Sequence, residues 1–362
     1  MEHQTAEDMS SLKGEALVDR YGRVWLPYDL PHLRATSVGW SRLSARREVR
    51  HAGRRPFRWR ARARDALHVL NGMGVTLGDS IIGINVLAWL KTCHPALRIH
   101  LYRSRHAPAY VERLYQLASR IVEPVHYLPQ PLETIPPDVV DLSDFLYWPL
   151  FASEPMVDFF MHALGIALHA MPATSKANRW LSELTLPLAP APWSTRDYVL
   201  FCDQASAALR RVPEEHAASM VDRIWHHYGL PVLGFHPISH LHYHDVSSQS
   251  RDLDHFMVWV KNAQVVVGTD SAAIHIAAGF DVPTLAVFVS IDPMLRTRDY
   301  PHCRVLDVRT ALTDGLHESD DPSVVREVQQ IWRTIIARED LPWPAAAATS
   351  PLDKQHVARE EA

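Results

Sequence analysis

One feature constrains the fold of this chain more than any other. Short apolar runs lead through glycine- or proline-marked turns into helices, again and again, on both sides of a proline-rich break. Ala66 to Leu70 ends in Asn71-Gly72, which reads as a buried strand and its turn. Ser80 to Thr92 places Ile81, Ile82, Ile84, Val86, Leu87 and Leu90 so densely that a well-buried helix is expected, and Pro95 stops it. Arg98 to Tyr102, Val125 to Leu128 and Val139 to Leu142 read as further strands, with a helix around Tyr110 to Ser119. Pro172 to Trp193 carries Pro172, Pro187, Pro190 and Pro192 and reads as a linker. The alternation then restarts with strands at Tyr198 to Cys202, Pro231 to Phe235, Gln264 to Gly268 and Thr284 to Phe288. Helices are expected at Pro213 to Tyr228 and Leu253 to Asn262. Strands alternating with helices imply parallel α/β sheets, here two of them.

At 362 residues the chain exceeds one ordinary core, which agrees with two α/β domains. Its 47% hydrophobic content excludes disorder as a whole-chain class. The longest apolar stretches, Ile81 to Leu90 and Val282 to Ile291, fall short of the roughly 18–20 residues a membrane span needs. The polar start Met1-Glu2-His3-Gln4 carries no apolar leader, so a cytoplasmic location is expected. Cys93, Cys202 and Cys303 lie too far apart to read as a disulfide framework or a thiolate metal cluster.

The net charge of −4 hides an asymmetry: ten arginines fall between Arg42 and Arg64, against Glu48 and, just beyond, Asp65. Such a run is either a solvated basic face or a patch drawn to an anionic membrane, where each charge gains up to about 1 kcal/mol. Phe57 and Trp59 interleave with it, yet no nucleic-acid module surrounds them, so no nucleic-acid partner is expected. Residues 1–64 as a whole read as an N-terminal extension with a basic segment. Asp321-Pro322 starts a helix whose stripe is Val324, Val328, Ile331 and Ile335, and residues 341–362 read as a disordered tail.

Two loops carry the chemistry. In Asn71-Gly72-Met73-Gly74-Val75-Thr76-Leu77-Gly78-Asp79 the glycines permit a tight turn, and a helix N-terminus follows. Asp79 is there either a plain cap or a carboxylate held at the mouth of the sheet, where it could act as a general base. The spacing Gly72-x-Gly74-x-x-x-Gly78 is also a loose dinucleotide fingerprint, one residue off the standard; Arg103 and Arg105 would then have to meet a 2′-phosphate. The second loop runs from strand Val265-Val266-Val267-Gly268 through Thr269-Asp270-Ser271 into Ala272-Ala273-Ile274-His275. Asp270 or Ser271 can cap the helix, and the alanines let a ligand approach the backbone. His275 is either a satisfied core histidine or a ligand contact. The run His236, His240, His242, His244 reads as a solvated loop rather than a metal site.

These loops resemble those of glycosyltransferase family 9, the bacterial heptosyltransferases. Gly78-Asp79-Ser80-Ile81-Ile82, Leu90-Lys91 and His94-Pro95 match its first loop and helix. Gly268-Thr269-Asp270-Ser271, His275, Ala277-Ala278 and Pro283-Thr284 match its C-terminal signature, with Ala272 where the family has glycine. Arg210-Arg211-Val212-Pro213-Glu214-Glu215 stands where the family has a Lys-x-Trp-Pro-x-Glu segment. The resemblance covers about 66–103 and 198–300.

It implies a GT-B fold of two facing Rossmann-like domains: an acceptor-side domain at 65–171, a linker at 172–196, a nucleotide-sugar domain at 197–316, and a helix at 317–340 crossing back to the first domain. It further implies inverting sugar transfer without a metal or other cofactor, from a nucleotide-diphosphate sugar, ADP-heptose in the specific form, to a lipopolysaccharide-core or other glycan or glycolipid acceptor. Asp79, beside Gly78, would be the base, and Arg210 would face the departing diphosphate. Glu214, Thr269, Asp270, Ser271, Ala272 and His275 would hold the donor. The basic stretch 42–64 would dock peripherally at the inner membrane. Three alternatives stay open: another nucleotide sugar or a protein acceptor, a catalytically weak nucleotide-sugar binding protein, and, from the glycine loop alone, a dinucleotide-dependent oxidoreductase.

Overall fold

A computed structural model describes residues 14–33, 39–53, 58 and 66–347. The chain divides between Lys176 and Ala177 into two compact units. Each is built on a parallel sheet, as the expected GT-B class requires.

In the first unit the central strands are β5 (Ala66–Leu70), β6 (Arg98–Ser104), β7 (Val125–Leu128) and β9 (Val139–Asp141), joined by β4 (Val49–His51) in the order β4-β9-β5-β6-β7. All their pairings are parallel. The buried helix expected after β5 is α1 (Leu77–Cys93); α2 (Ala109–Leu117) and α3 (Met156–Ala163) follow β6 and β9. Strands β1 (Leu17–Val18), β2 (Arg23–Trp25) and β3 (Ser41–Arg42) combine with β8 (Gln130–Pro131) in a small antiparallel sheet. Its Val18, Val24, Leu26 and Leu43 share one core with Leu70, Tyr102 and Leu128 of the parallel sheet.

Residues 14–33 and 39–53 are therefore not an appended extension: they cover one face of the first sheet and supply its edge strand. These strands are two or three residues long, and their partners lie far along the chain, so no local pattern announces them. The rest of the basic segment, apart from Arg58, lies outside the described residues.

The second unit orders its strands β12-β11-β10-β13-β14-β15, all parallel: β10 (Val199–Cys202), β11 (Val232–Gly234), β12 (Tyr243–Asp245), β13 (Val265–Thr269), β14 (Thr284–Phe288) and β15 (Cys303–Asp307). Its helices are α4 (Glu214–Tyr228), α5 (Leu253–Lys261), α6 (Ala272–Gly279), α7 (Met294–Thr297) and α8 (Pro322–Ala337). Asp321 caps α8 as expected, its Oδ1 accepting from the Ser323 amide at 2.7 Å. The stripe Val324, Val328, Ile331, Ile335, with Trp332, packs into the core that holds Met220 and Ile224 of α4. So α8 belongs to the second unit, where a return to the first was expected.

Two further expectations change. The proline-rich segment is not all linker: Asn178, Trp180 and Leu181 are buried in the second unit. Gly279 makes room for them, since a Cβ there would sit 2.8 Å from the Asn178 carbonyl oxygen. The expected tail also begins ordered. Leu341 is buried, Trp343 stacks on His227, and the Ala347 amide donates to the Gln264 carbonyl at 3.1 Å; residues 348–362 lie outside the described ones.

Trp332 is 1% exposed in that core. Trp332→Ala is expected to lower stability by about 3–5 kcal/mol through lost burial and a residual cavity. Urea unfolding with an unchanged midpoint would contradict the placement of α8.

Candidate active site

In an open parallel sheet ligands sit at the carboxyl ends of the strands, at the point where strand order reverses. In the second unit the chain runs β10, β11, β12 to one side and β13, β14, β15 to the other, so the reversal lies between β10 and β13. Gly268 permits their close approach: a Cβ there would stand 3.1 Å from the Cys202 carbonyl oxygen. The loops leaving these two strands carry Asp203 to Arg210 and Asp270 to His275, of which the sequence singled out Arg210 and the second loop.

One ion pair joins the two loops. Arg210 Nη1 donates to the Asp270 carbonyl oxygen at 2.9 Å and to its Oδ2 at 3.0 Å, while Nη2 donates to Ser206 Oγ at 2.9 Å. Asp270 is 3% exposed. Burial pushes its carboxyl up, but the charges of Arg210 and Arg296 and the Arg210 hydrogen bond outweigh that and hold it below the usual carboxylate range. Glu214, expected to hold the donor, is exposed in the first turn of α4. The carboxylate that Arg210 grips is Asp270.

His275 lies behind that pair. Burial first, and then the charges of Arg296 and Arg210, push its imidazole down to about 4 against the pull of Asp270. Its Nδ1 lies 2.8 Å from Tyr300 Oη, and Asn178 Nδ2 donates both to Tyr300 Oη at 2.9 Å and to the His275 carbonyl at 3.0 Å. Burial keeps the Tyr300 phenol protonated. With Asn178 donating to that oxygen, the phenol proton goes to Nδ1, and the neutral imidazole carries its own proton on Nε2.

At the start of α6, Ser271 takes the cap position but its side chain caps no amide. The amides of Ala272 and Ala273 stand ahead of the helix's own ladder. Thr269 Oγ1, Ser271 Oγ and, after β14, Ser290 Oγ are buried without a hydrogen-bond partner among the described residues. Three orphaned hydroxyls, two arginines and a helix N-terminus around one switch point make a place for a polar, anionic ligand.

Several residues of this edge escaped the sequence reading. Asp203, closing β10, is 2% exposed and lies 3.0 Å from His236 Nε2; burial pushes its carboxyl up. Arg296 on α7 and the pair Asn178–Tyr300 come from segments that no motif marked. The expected histidine loop is partly strand β12. His242 stacks on Trp225 with ring centres 3.7 Å apart, and Tyr243 Oη donates to the His236 carbonyl at 2.7 Å. Among the described residues no group of three or more His, Cys, Asp or Glu is placed to hold a metal ion.

The first unit has its own switch point, between β5 and β9. Asn71, with φ +66°, opens the β5 loop and ties it to the β9 loop through Nδ2 bonds to the Leu142 and Ser143 carbonyls at 3.4 and 3.2 Å. Gly78 and Asp79 fall in the first turn of α1, and Thr76 Oγ1 donates to Asp79 Oδ2 at 2.7 Å. Asp79 thus stands half-buried at a helix N-terminus, which favours its charge. The dinucleotide reading loses one of its two expected phosphate partners, Arg105 alone remaining exposed. Arg103 is 1% exposed, bonded to Glu112 Oε1 at 2.7 Å and lying 3.6 Å over the Tyr115 ring centre, so it cannot reach a ribose 2′-phosphate.

Residues 250–306, which span β13, α6 and β14, match the family model of glycosyltransferase family 9 (heptosyltransferase). That is the family this chain resembles. A comparison with curated proteins gives no match. Among solved structures, the E. coli ADP-heptose lps heptosyltransferase II is 14% identical, with 75% of this chain and 100% of that one covered and a TM-score of 0.48. The glycosyl transferase family 9 of Veillonella parvula is 14% identical, covering 74% and 97%, with a TM-score of 0.47. The iron-containing dodecameric glycosyltransferase TibC from enterotoxigenic E. coli is 14% identical, covering 73% and 66%, with a TM-score of 0.40. The family 9 segment therefore holds Thr269, Asp270, Ser271, Ala272 and His275, whereas Arg210 and Asp79 lie outside it.

The Arg210–Asp270 pair should be strongly coupled in stability. Arg210→Met, which strands a buried carboxylate, is expected to cost about 3 kcal/mol, and adding Asp270→Asn should recover part of it. Additive losses in denaturant melts would contradict the pair. His275 predicts a pH effect of definite sign. Its pKa is lower folded than unfolded, so its contribution is full above about 6.5 and is lost as pH falls toward about 4. The stability difference between the wild type and His275→Gln should therefore shrink on acidification; a difference independent of pH would contradict the buried neutral ring.

Proposed function

We propose that the chain is an inverting glycosyltransferase that uses a nucleotide-diphosphate sugar, with heptose from ADP-heptose as donor and a lipopolysaccharide-core or related glycan as acceptor. The observation that carries this reading is the set of buried, unpartnered hydroxyls around the α6 N-terminus, inside the segment that matches family 9 and facing the Arg210–Asp270 pair. A diphosphate leaving group needs neutralising charge. Arg210, Arg296 and the first amides of α6 supply it, so no step needs a metal. Asp79 takes the proton of the acceptor hydroxyl as its oxygen bonds to the anomeric carbon; the bond from that carbon to the diphosphate oxygen breaks on the opposite face, which inverts the centre. Thr269, Ser271, Ala272 and Asp270 hold the diphosphate and sugar, and His275 braces Asp270. Glu214 keeps a part in donor binding only if it swings in from the α4 surface.

A second reading rests on a specific observation: both Nη atoms of Arg210 are already engaged by Asp270 and Ser206. A nucleotide-sugar binding protein with little turnover would need no free guanidinium there. The glycolipid form of the acceptor agrees with a cytoplasmic protein docked at the inner membrane through the basic stretch 42–64. Within that stretch Arg42 pairs with Glu15 at 3.4 Å and Arg50 with Asp138 at 3.1 Å, so the docking charge falls to its other arginines. No helix among the described residues is long and apolar enough to cross a membrane.

Calorimetric titration with ADP, UDP and GDP, with and without a chelator, tests the donor. Selective ADP binding, unaffected by the chelator and weakened about tenfold or more by Arg296→Ala, is the expected result; selective UDP binding would move the donor to another sugar. With ADP-heptose and deacylated lipopolysaccharide core, Asp79→Asn should lower turnover by about a hundredfold or more. Unchanged turnover would remove Asp79 from the mechanism, and no turnover in the wild type would favour the binding protein.

A further inference from the structure

The N-terminal sheet does more than cover a face: it delivers Tyr28 to the mouth of the first unit. After β2 the chain turns through Leu26 to Asp29, the Asp29 amide donating to the Leu26 carbonyl at 3.0 Å. The Asp29 carboxylate, 1% exposed, locks that turn to the parallel sheet. Its Oδ2 accepts from the Leu26 amide at 3.2 Å and its Oδ1 from Ser104 Oγ, at the end of β6, at 2.5 Å. A turn clamped to the carboxyl end of β6 has little freedom, so the residue it presents is held in place.

That residue is half-buried Tyr28, packed on the core that joins the two sheets. Its phenolic oxygen lies over the β5–α1 loop, 3.4 Å from where a Cβ on Gly74 would stand. Gly74 has φ +73°, so the loop needs glycine there for its backbone as well as for the room. The phenol has the Asn71 side chain as its neutral polar neighbour and lies within the field of the Asp79 carboxylate. Burial first, and then the Asp79 charge, push it up to about 12, so it keeps its proton at every pH at which a carboxylate could act as a base. The titratable groups facing it are Asp79 on α1 and Tyr147 beyond β9; Asn71 is the neutral polar neighbour.

We infer that Tyr28 is an acceptor-binding residue: a sugar hydroxyl entering the mouth of the first sheet accepts from the Tyr28 phenol and donates to the Asp79 carboxylate. The pairing is chemically complementary. The phenol keeps a proton that it can donate, while a carboxylate can only accept. An alcohol is both donor and acceptor, so one hydroxyl can answer both groups. The phenol orients the hydroxyl lone pair that does not attack; it neither gains nor loses a proton in the transfer. This deepens the glycosyltransferase reading and rests on it for the identity of the alcohol. It also gives residues 14–33, whose sequence matched no motif, a part in acceptor recognition.

The test uses the full chain labelled with carbon-13 at the tyrosine ζ carbons, the Tyr28 signal being identified by its loss in Tyr28→Phe. Titrated from about pH 3 to about pH 7, the Tyr28 signal should move with a single midpoint, and Asp79→Asn should abolish that movement. In transfer from ADP-heptose to deacylated lipopolysaccharide core, Tyr28→Phe should raise the acceptor KM about fivefold while ADP affinity and kcat stay within about twofold. A Tyr28 signal blind to Asp79, or an unchanged acceptor KM, overturns the inference. Turnover that survives Asp79→Asn overturns the catalytic reading of Asp79 instead, and the Tyr28 titration still shows whether the two groups share one mouth.

Discussion

The second unit is organised by one buried ion pair. Asp270 is charged at a place where charge is expensive, and it remains so because Arg210 reaches across the switch point to hold it. The pair fixes the loop after β10 against the loop after β13, and so fixes where α6 begins. His275 then has to stay neutral, since two arginines and burial all oppose its protonation; Tyr300 and Asn178, brought from either side of the Rossmann-like core, hold it in one tautomer. The hydroxyls of Thr269, Ser271 and Ser290 are the other face of that rigidity, buried without a hydrogen-bond partner among the described residues.

The first unit solves a different problem. Its parallel sheet has α1, α2 and α3 to bury, yet part of one face is closed by an antiparallel sheet made of the first described residues and β8. Leu70, Tyr102 and Leu128 bury against Val18, Val24 and Leu26 there, and apolar burial of this kind is worth roughly 25 cal/mol per Å². The same contact clamps the turn that carries Tyr28. Structure and candidate site are thus joined in one segment, because the strands that cover the sheet also bring a phenol over the β5–α1 loop.

What could be read in the sequence was local. The runs that became β5, β10, β13 and β14 are apolar over four or five residues and end in turns, so alternation found them; the loops of Asp79 and Asp270 follow directly from those strands. What could not be read depended on distance along the chain. Strand β4 pairs with β9 some ninety residues away, Asn178 bonds His275 from within a proline-rich stretch, and Asp203 meets His236 through a strand order that no single loop reveals. Arg103 shows the converse error. It looked available for a phosphate at the end of a strand, but Glu112 and Tyr115 enclose it once α2 packs down. Residue type at a strand end is a local signal, whereas exposure is a property of the whole fold.

The central claim is that the switch point between β10 and β13 is a nucleoside-diphosphate site organised by Arg210 and Asp270. Hydrogen exchange of the full chain with and without ADP tests it most directly. The account predicts slowed exchange in peptides covering residues 203–211 and 268–276, with the α6 amides among the most protected, and no change in peptides covering 66–80. Protection confined to the 66–80 loop, or none at the switch point under saturating ADP, would contradict it.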